Sequence, residues 1–331
     1  MRHSRRRRGN RAACWVGGLL LAVIAISSAE AVRLKGNGPS ELAVGYGTAW
    51  VGMGDGRLRP VDVESRRVGR SMWLGGGRRG EGFSVKDIAV GFGSVWVTTG
   101  RAVLLAVHPR TRKVREIYRL GGGGWTPTLV VVGTGAVWVG DYERNQVYRV
   151  EPRSGRVTRS YGVDGRLVRI AAGPLGVWAL TAPGSGPLTG PEGERRLIRI
   201  DRGPRKTLLK LSCDGTLTVG ARWLWLSDVC DRTVIRLDPR SGAITTFDVG
   251  GEPWSIALGA GAAWVSTGVG LKQIAVGSAG ATLVSPRNNS LAVFSDGHVW
   301  FLDCWGCQRA SLRTIDTSDG REIEPQIPVS P

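Results

Sequence analysis

One phrase that returns seven times constrains this chain more than any other feature. Leu42-Ala43-Val44-Gly45-Tyr46-Gly47-Thr48-Ala49-Trp50-Val51 is followed by Ile88-Ala89-Val90-Gly91-Phe92-Gly93-Ser94-Val95-Trp96-Val97. It comes back at 130–139 around Trp138, at 170–179 around Trp178 and at 217–226 around Trp225. Residues 256–265 around Trp264 and 291–301 around Trp300 complete the set. Successive tryptophans lie 46, 42, 40, 47, 39 and 36 residues apart. Such a period, without helical patterning, marks small sheets repeated about an axis.

Each repeat reads as four short strands. The apolar run before the glycine pair is the first, the tryptophan lies on the second, and Gly-x-Gly supplies the tight turn between them. The third strand ends in phrases such as Ile235-Arg236-Leu237-Asp238-Pro239-Arg240-Ser241-Gly242. There Asp opens a turn, Pro fixes φ and Gly takes the positive-φ position. Residues 150–155 and 315–320 repeat the pattern, and a fourth strand follows, as in 243–249. One blade alone cannot cover both of its faces, whereas radial stacking sets each indole against the next blade. The expected fold is all-β: a seven-bladed β-propeller over residues 32–331, with four antiparallel strands per blade. Two segments compete for the closing edge, Arg321 to Val329 (which holds Pro325 and Pro328) and Val32-Arg33-Leu34-Lys35-Gly36.

Composition agrees. Gly accounts for 50 of 331 residues without a three-residue period, which excludes collagen, and 42% apolar residues exclude a disordered chain. Only one run is apolar enough for a membrane, which excludes a polytopic protein. That run is 12–26, preceded by Arg2, Arg5, Arg6, Arg7, Arg8 and Arg11 and followed by Ser27-Ser28-Ala29-Glu30-Ala31. This is the order of an export signal cleaved after Ala31, or of a membrane anchor that keeps its N-terminus cytoplasmic. Residues 1–31 are therefore expected to be signal or anchor, and the rest secreted or extracytoplasmic.

Removing 1–31 lowers the net charge from +18 to +13, and arginines outnumber lysines 39 to 6. GC-rich codon usage accounts for such a bias, and so does a surface for anionic envelope polymers. The basic residues are spread over every repeat with few aromatics between them, so nucleic acid is not the expected partner.

The phrase Ile-Ala-x-Gly-x-Gly-x-Val-Trp-Val followed by Ile-Asp-Pro-x-Ser-Gly resembles the seven-bladed YVTN/NHL-like propellers of exported bacterial proteins. Virginiamycin B lyase lies in the same neighbourhood, as do propellers like the methylamine dehydrogenase heavy chain. The resemblance spans about 32–329 and implies fold far more than function, because its motifs are core and turn residues.

In a propeller, the loops between second and third strands share a face with those leading into the next blade. That face collects the candidate ligand-binding residues Trp125, Asp141, Tyr142, Arg144, Asp228, Glu252, Trp254, Asp303 and Trp305. Arg78, Arg79, Lys86, Thr126, Asn145, Cys213, Asp214 and Asp231 accompany them. Trp125 and Trp254 fall outside the repeated tryptophan position; they serve either as packing under loops or as platforms for a sugar or peptide. Asp141, Asp228 and Asp303 each end a second strand, as turn caps or as cation ligands, and no compact calcium-loop pattern occurs. His108 and His298 fall on the opposite face, and the sequence has no nucleophile elbow and no zinc-protease motif. Neither catalysis nor a metal or other cofactor is expected.

Four cysteines follow the signal. Cys213 and Cys230 fall on one face of one blade, and Cys304-Trp305-Gly306-Cys307 lies on a hairpin of another. The expected pairs are Cys213–Cys230 and Cys304–Cys307, as suits an oxidising compartment; a redox Cys-x-x-Cys would instead open a helix. Blade 4 has the longest loop, Thr181 to Arg195, read as an insertion or a lid. The expectation is an exported, non-catalytic binding or scaffold protein acting on an extracellular protein, peptide or envelope glycan. The alternative is a metal-dependent enzyme like virginiamycin B lyase.

Overall fold

The computed structural model describes residues 38–74, 84–100, 103–119, 127–183, 193–202, 206–213, 215–286, 291–303, 310–324 and 326–329. Seven four-stranded antiparallel sheets form the blades, each with its strands in chain order. The first strands are Pro39–Gly45, Val85–Gly91, Pro127–Gly133, Arg166–Gly173, Leu217–Val219, Pro253–Gly259 and Leu291–Ser295. Each touches the first strand of the next blade, and the last touches the first, so the ring closes around a central channel.

The repeated phrase explains itself in three dimensions. Trp50, Trp96, Trp138, Trp178 and Trp264 are almost wholly buried between blades. Four indole N–H groups donate to the carbonyl five residues earlier: Trp50 to Gly45 (3.3 Å), Trp96 to Gly91 (3.0 Å), Trp138 to Gly133 (3.0 Å) and Trp264 to Gly259 (3.1 Å). The glycine that accepts is there for space. A Cβ on Gly91 would lie 2.5 Å from Val132 Cγ1 of the next blade. The second glycine is there for conformation: Phe92 and Gly93 have φ of 53° and 76°, as a two-residue turn of mirror-image type I requires.

The turns from third to fourth strand are capped by their opening residue. Asp238 Oδ1 accepts Arg240 N (2.8 Å), Glu151 Oε2 accepts Ser154 N (2.6 Å) and Asp316 Oδ1 accepts Ser318 N (2.8 Å). Hydrogen bonds from Ser154 hold the Glu151 carboxyl down at about 2. His108 does the same work, its Nδ1 accepting Arg110 N (3.2 Å) and Thr111 N (3.1 Å). His298 Nδ1 lies 2.7 Å from the Asp296 carbonyl, so both histidines serve local structure.

Blade 7 supplies its own fourth strand. Expected over Arg321–Val329, it is a strand only at Ile327–Pro328, with Glu322 making a lone bridge to Ile315. Pro328 lacks the N–H that would extend the ladder. Val32–Gly36, residues 1–31 and most of the 181–195 loop lie outside the described residues. Packing closes the ring: Leu42, Val51 and Met53 share one apolar cluster with Trp300, Leu302, Leu312, Ile327 and Val329.

Candidate functional site at the channel mouth

Five first strands share an irregularity. The register to the second strand slips by one residue at Ser40, Lys86, Thr128, Val168 and Trp254. A bulge bends its strand and re-aims the side chains beside it. Here it recurs at the loop-face end, where the channel opens. The next residue in each blade is Glu41, Asp87, Leu129, Arg169 and Ser255, so one register position carries two acids and an arginine.

Those charges meet across the axis. The Glu41 carboxyl is held well above the usual carboxylate range, first by burial and then by the negative charge of Asp87, while Arg169 and Lys86 oppose the rise. Asp87 is pushed up to about 7, mainly by burial, against the hydrogen bonds it accepts and the charge of Arg169. Burial also pulls the Lys86 ammonium down, with Glu41 partly restoring it. Glu41 belongs to blade 1 and Arg169 to blade 4, and groups that far around a ring feel each other only by facing its centre. All four side chains are half-buried, as befits groups lining a channel.

The same position stitches neighbouring blades together. Asp87 Oδ2 accepts Val130 N from blade 3 (2.8 Å), and Ser255 Oγ accepts Ala292 N from blade 7 (2.7 Å). Tyr142 Oη donates to Val168 O (3.0 Å) and accepts from Arg169 Nη1 (3.1 Å), fixing the guanidinium at the channel wall.

The sequence-derived candidates divide into two groups. Asp141 and Asp228 are buried; Asp141 caps its own turn, whereas Asp228 accepts Asp231 N on its turn (3.3 Å) and also ties down the loop that enters blade 5. Asp141 Oδ1 accepts Glu143 N and Arg144 N at 3.0 Å each; Asp228 accepts Ser212 N (2.5 Å) and Cys213 N (3.1 Å). Asp303 Oδ1 accepts Ser311 N (2.7 Å). Arg144 is exposed on the turn after Asp141. Trp254 is 47% exposed and Glu252 is exposed beside it; the Glu252 carboxylate and the Trp254 indole nitrogen both point over Gly268. Trp125, Trp305 and the Cys304–Cys307 pair lie outside the described residues, as do Arg78, Arg79, Thr126 and Asp214. Cys213 and Cys230 form the expected disulfide, with Cα atoms 5.4 Å apart. Among the described residues no group of three or more His, Cys, Asp or Glu side chains is arranged for a metal ion. Likewise, no helix among them is long and apolar enough to cross a membrane.

Of these four charges the sequence reading placed only Lys86 on this face; Glu41, Asp87 and Arg169 went unread. The signal was present: a charge standing directly before the apolar phrase in blades 1, 2 and 4.

No protein-family model and no curated protein sequence matches the chain. Solved structures do. Kuenenia stuttgartiensis hydrazine synthase is 11% identical with a TM-score of 0.64, over 88% of this chain and 96% of that one. The dihydro-heme d1 dehydrogenase NirN, in complex with DHE, is 13% identical with a TM-score of 0.59, over 88% of this chain and 67% of that one. BamB from Moraxella catarrhalis is 12% identical with a TM-score of 0.52, over 86% and 84%. At such identities the likeness establishes the fold: this chain is a seven-bladed β-propeller with propeller-like structural neighbours.

Proposed function

We propose that this chain is an exported binding or scaffold propeller of the YVTN/NHL kind. It holds an extracellular protein, peptide or envelope glycan on its loop face and runs no reaction of its own. One observation carries the reading. An exposed Trp254 beside Glu252 stands at the rim of a channel whose wall gathers Glu41, Lys86, Asp87 and Arg169. An aromatic platform next to mixed, hydrogen-bonding charge is the chemistry of recognition. The Cys213–Cys230 disulfide fits an oxidising, extracytoplasmic compartment, with residues 1–31 as signal or anchor.

A lyase-like reaction would want a histidine beside a metal-binding acid, whereas His108 and His298 sit on the opposite face, engaged with their own turns. The test is a peptide and glycan array probed with wild type and Trp254→Ala, both first checked for the same melting temperature. The reading expects ligands that the variant loses by about tenfold or more, as for a buried aromatic anchor. Identical binding by the two proteins, or marked thermal stabilisation by Mg²⁺, would overturn it.

A further inference from the structure

We propose that a cleft between blades 3 and 4, on the face away from the loops, binds a carboxylated or phosphorylated sugar unit. The cleft has a volume of about 670 Å³, within the range of small-molecule sites. The side chains that give it chemistry are Arg149, Arg159, Arg202, Thr158, Tyr161 and Asp201. Thr134, on the turn between first and second strands of blade 3, and Asp201 and Arg202, on the turn after the third strand of blade 4, place it opposite the loop face.

Two other blade junctions fill the matching slot with a side chain of the protein. Between blades 7 and 1 the guanidinium of Arg66 covers Trp300 at 6.0 Å, and between blades 1 and 2 that of Arg112 covers Trp50 at 5.7 Å. In both cases the turn of the following blade delivers the arginine. Blade 4 delivers none: among the described residues no guanidinium lies over Trp138, which meets Tyr161 at 5.8 Å instead. The slot that an arginine fills at those two junctions is open here.

Its charge is one-sided. Asp201 is neutralised by Arg199 (3.0 Å), and Arg149 Nη1 donates to Thr158 Oγ1 (3.0 Å). Arg159 and Arg202 are exposed and make no ion pair among the described residues. Guanidinium forks match carboxylate and phosphate oxygens two by two, threonine hydroxyls suit sugar hydroxyls, and a tyrosine face suits a sugar ring. A neutral, apolar ligand would leave the arginines unpaired.

Calorimetry at physiological ionic strength tests this with three probes: tetragalacturonate, the neutral galactose tetramer and glucose 1-phosphate. The galacturonate or the sugar phosphate should bind, its identity telling carboxylate from phosphate, and the neutral tetramer should not. Arg159→Gln and Arg202→Gln should each weaken binding roughly tenfold, the loss of one charge-assisted hydrogen bond. Arg240→Gln, at an exposed arginine on a blade 5 turn, should change nothing, nor should Trp254→Ala on the loop face. Binding by neither anionic probe would overturn the proposal. So would an equal loss in Arg240→Gln, which would reduce the attraction to net charge. Because Trp254→Ala reads the loop face separately, either reading can fail without the other.

Discussion

The guanidinium of Arg66 lies 6.0 Å over the indole of Trp300, joining the first blade to the last. Its Nη1 donates to Thr314 Oγ1 (3.2 Å) and its Nη2 to Ile323 O (3.1 Å), both in blade 7. Arg66 stands where blades 3, 5 and 7 place Gly155, Gly242 and Gly320, with φ of 56°. A bulky residue is uncommon in that conformation, and the contacts across the seam offset its cost. Trp300 gains as well: the blade 7 turn offers Ser295 where other blades have glycine, and the Trp300 N–H has no hydrogen-bond partner among the described residues.

Arg66→Ala keeps the unfavourable φ and loses every contact. It should cost about 2–4 kcal/mol, from the loss of a cation–π contact and two hydrogen bonds given by a partly exposed charged group. Arg66→Gly relaxes the backbone and should cost about 1 kcal/mol less than the alanine variant. Urea unfolding measures both; equal stability of Arg66→Ala and wild type would remove Arg66 from the closure.

The two glycines of one turn should respond differently to alanine. Gly91→Ala forces a Cβ to within 2.5 Å of Val132 Cγ1, and overpacking of this kind costs about 1–3 kcal/mol. Gly93→Ala meets nothing within 4 Å and bears only the strain of φ +76°, about 1 kcal/mol. Val132→Ala should recover part of the first loss and none of the second, as a double-mutant cycle of melting curves would record.

Asp87 makes stability depend on pH in an unusual direction. Its folded value of about 7 exceeds the ordinary carboxylate value, so the folded state binds more protons across that interval. Its contribution is fully present below about pH 4 and is lost as pH rises through 7. The Glu41 carboxyl, also raised, acts in the same sense. Glu151, held at about 2, acts oppositely, its contribution being lost as pH falls through 2. Asp87→Asn should flatten the decline in melting temperature between about pH 5 and 8. An unchanged slope would show that Asp87 does not titrate there.

Cys213 and Cys230 close a loop of sequence separation 17 over the mouth side of blade 5. Cys230→Ser should cost about 2–3 kcal/mol by releasing chain entropy in the unfolded state. Chemical denaturation with and without reductant checks it: wild type with reductant should match the variant.

The ring itself was legible because each blade repeats the same demands: an indole to bury, a glycine where the next strand approaches, a positive-φ turn. The aspartates ending second strands were legible as caps for the same local reason, and Asp141 proves to be one. The channel wall was not. Alternation along a strand says which residues share a face, but not that Glu41 and Arg169, 128 residues apart, look at one axis. The bulges that turn them there leave no mark in a single apolar run. Arg66 was hidden for a related reason, since an arginine at a glycine position makes sense only once Trp300 is beside it.

Hydrogen exchange of the protein bound to its best array ligand tests the central claim most directly. Binding on the loop face predicts added protection at 141–145, 166–169 and 250–255, with the turns at 46–47, 92–93 and 134–135 unchanged. Protection confined to those turns, or to the cleft between blades 3 and 4, would contradict it.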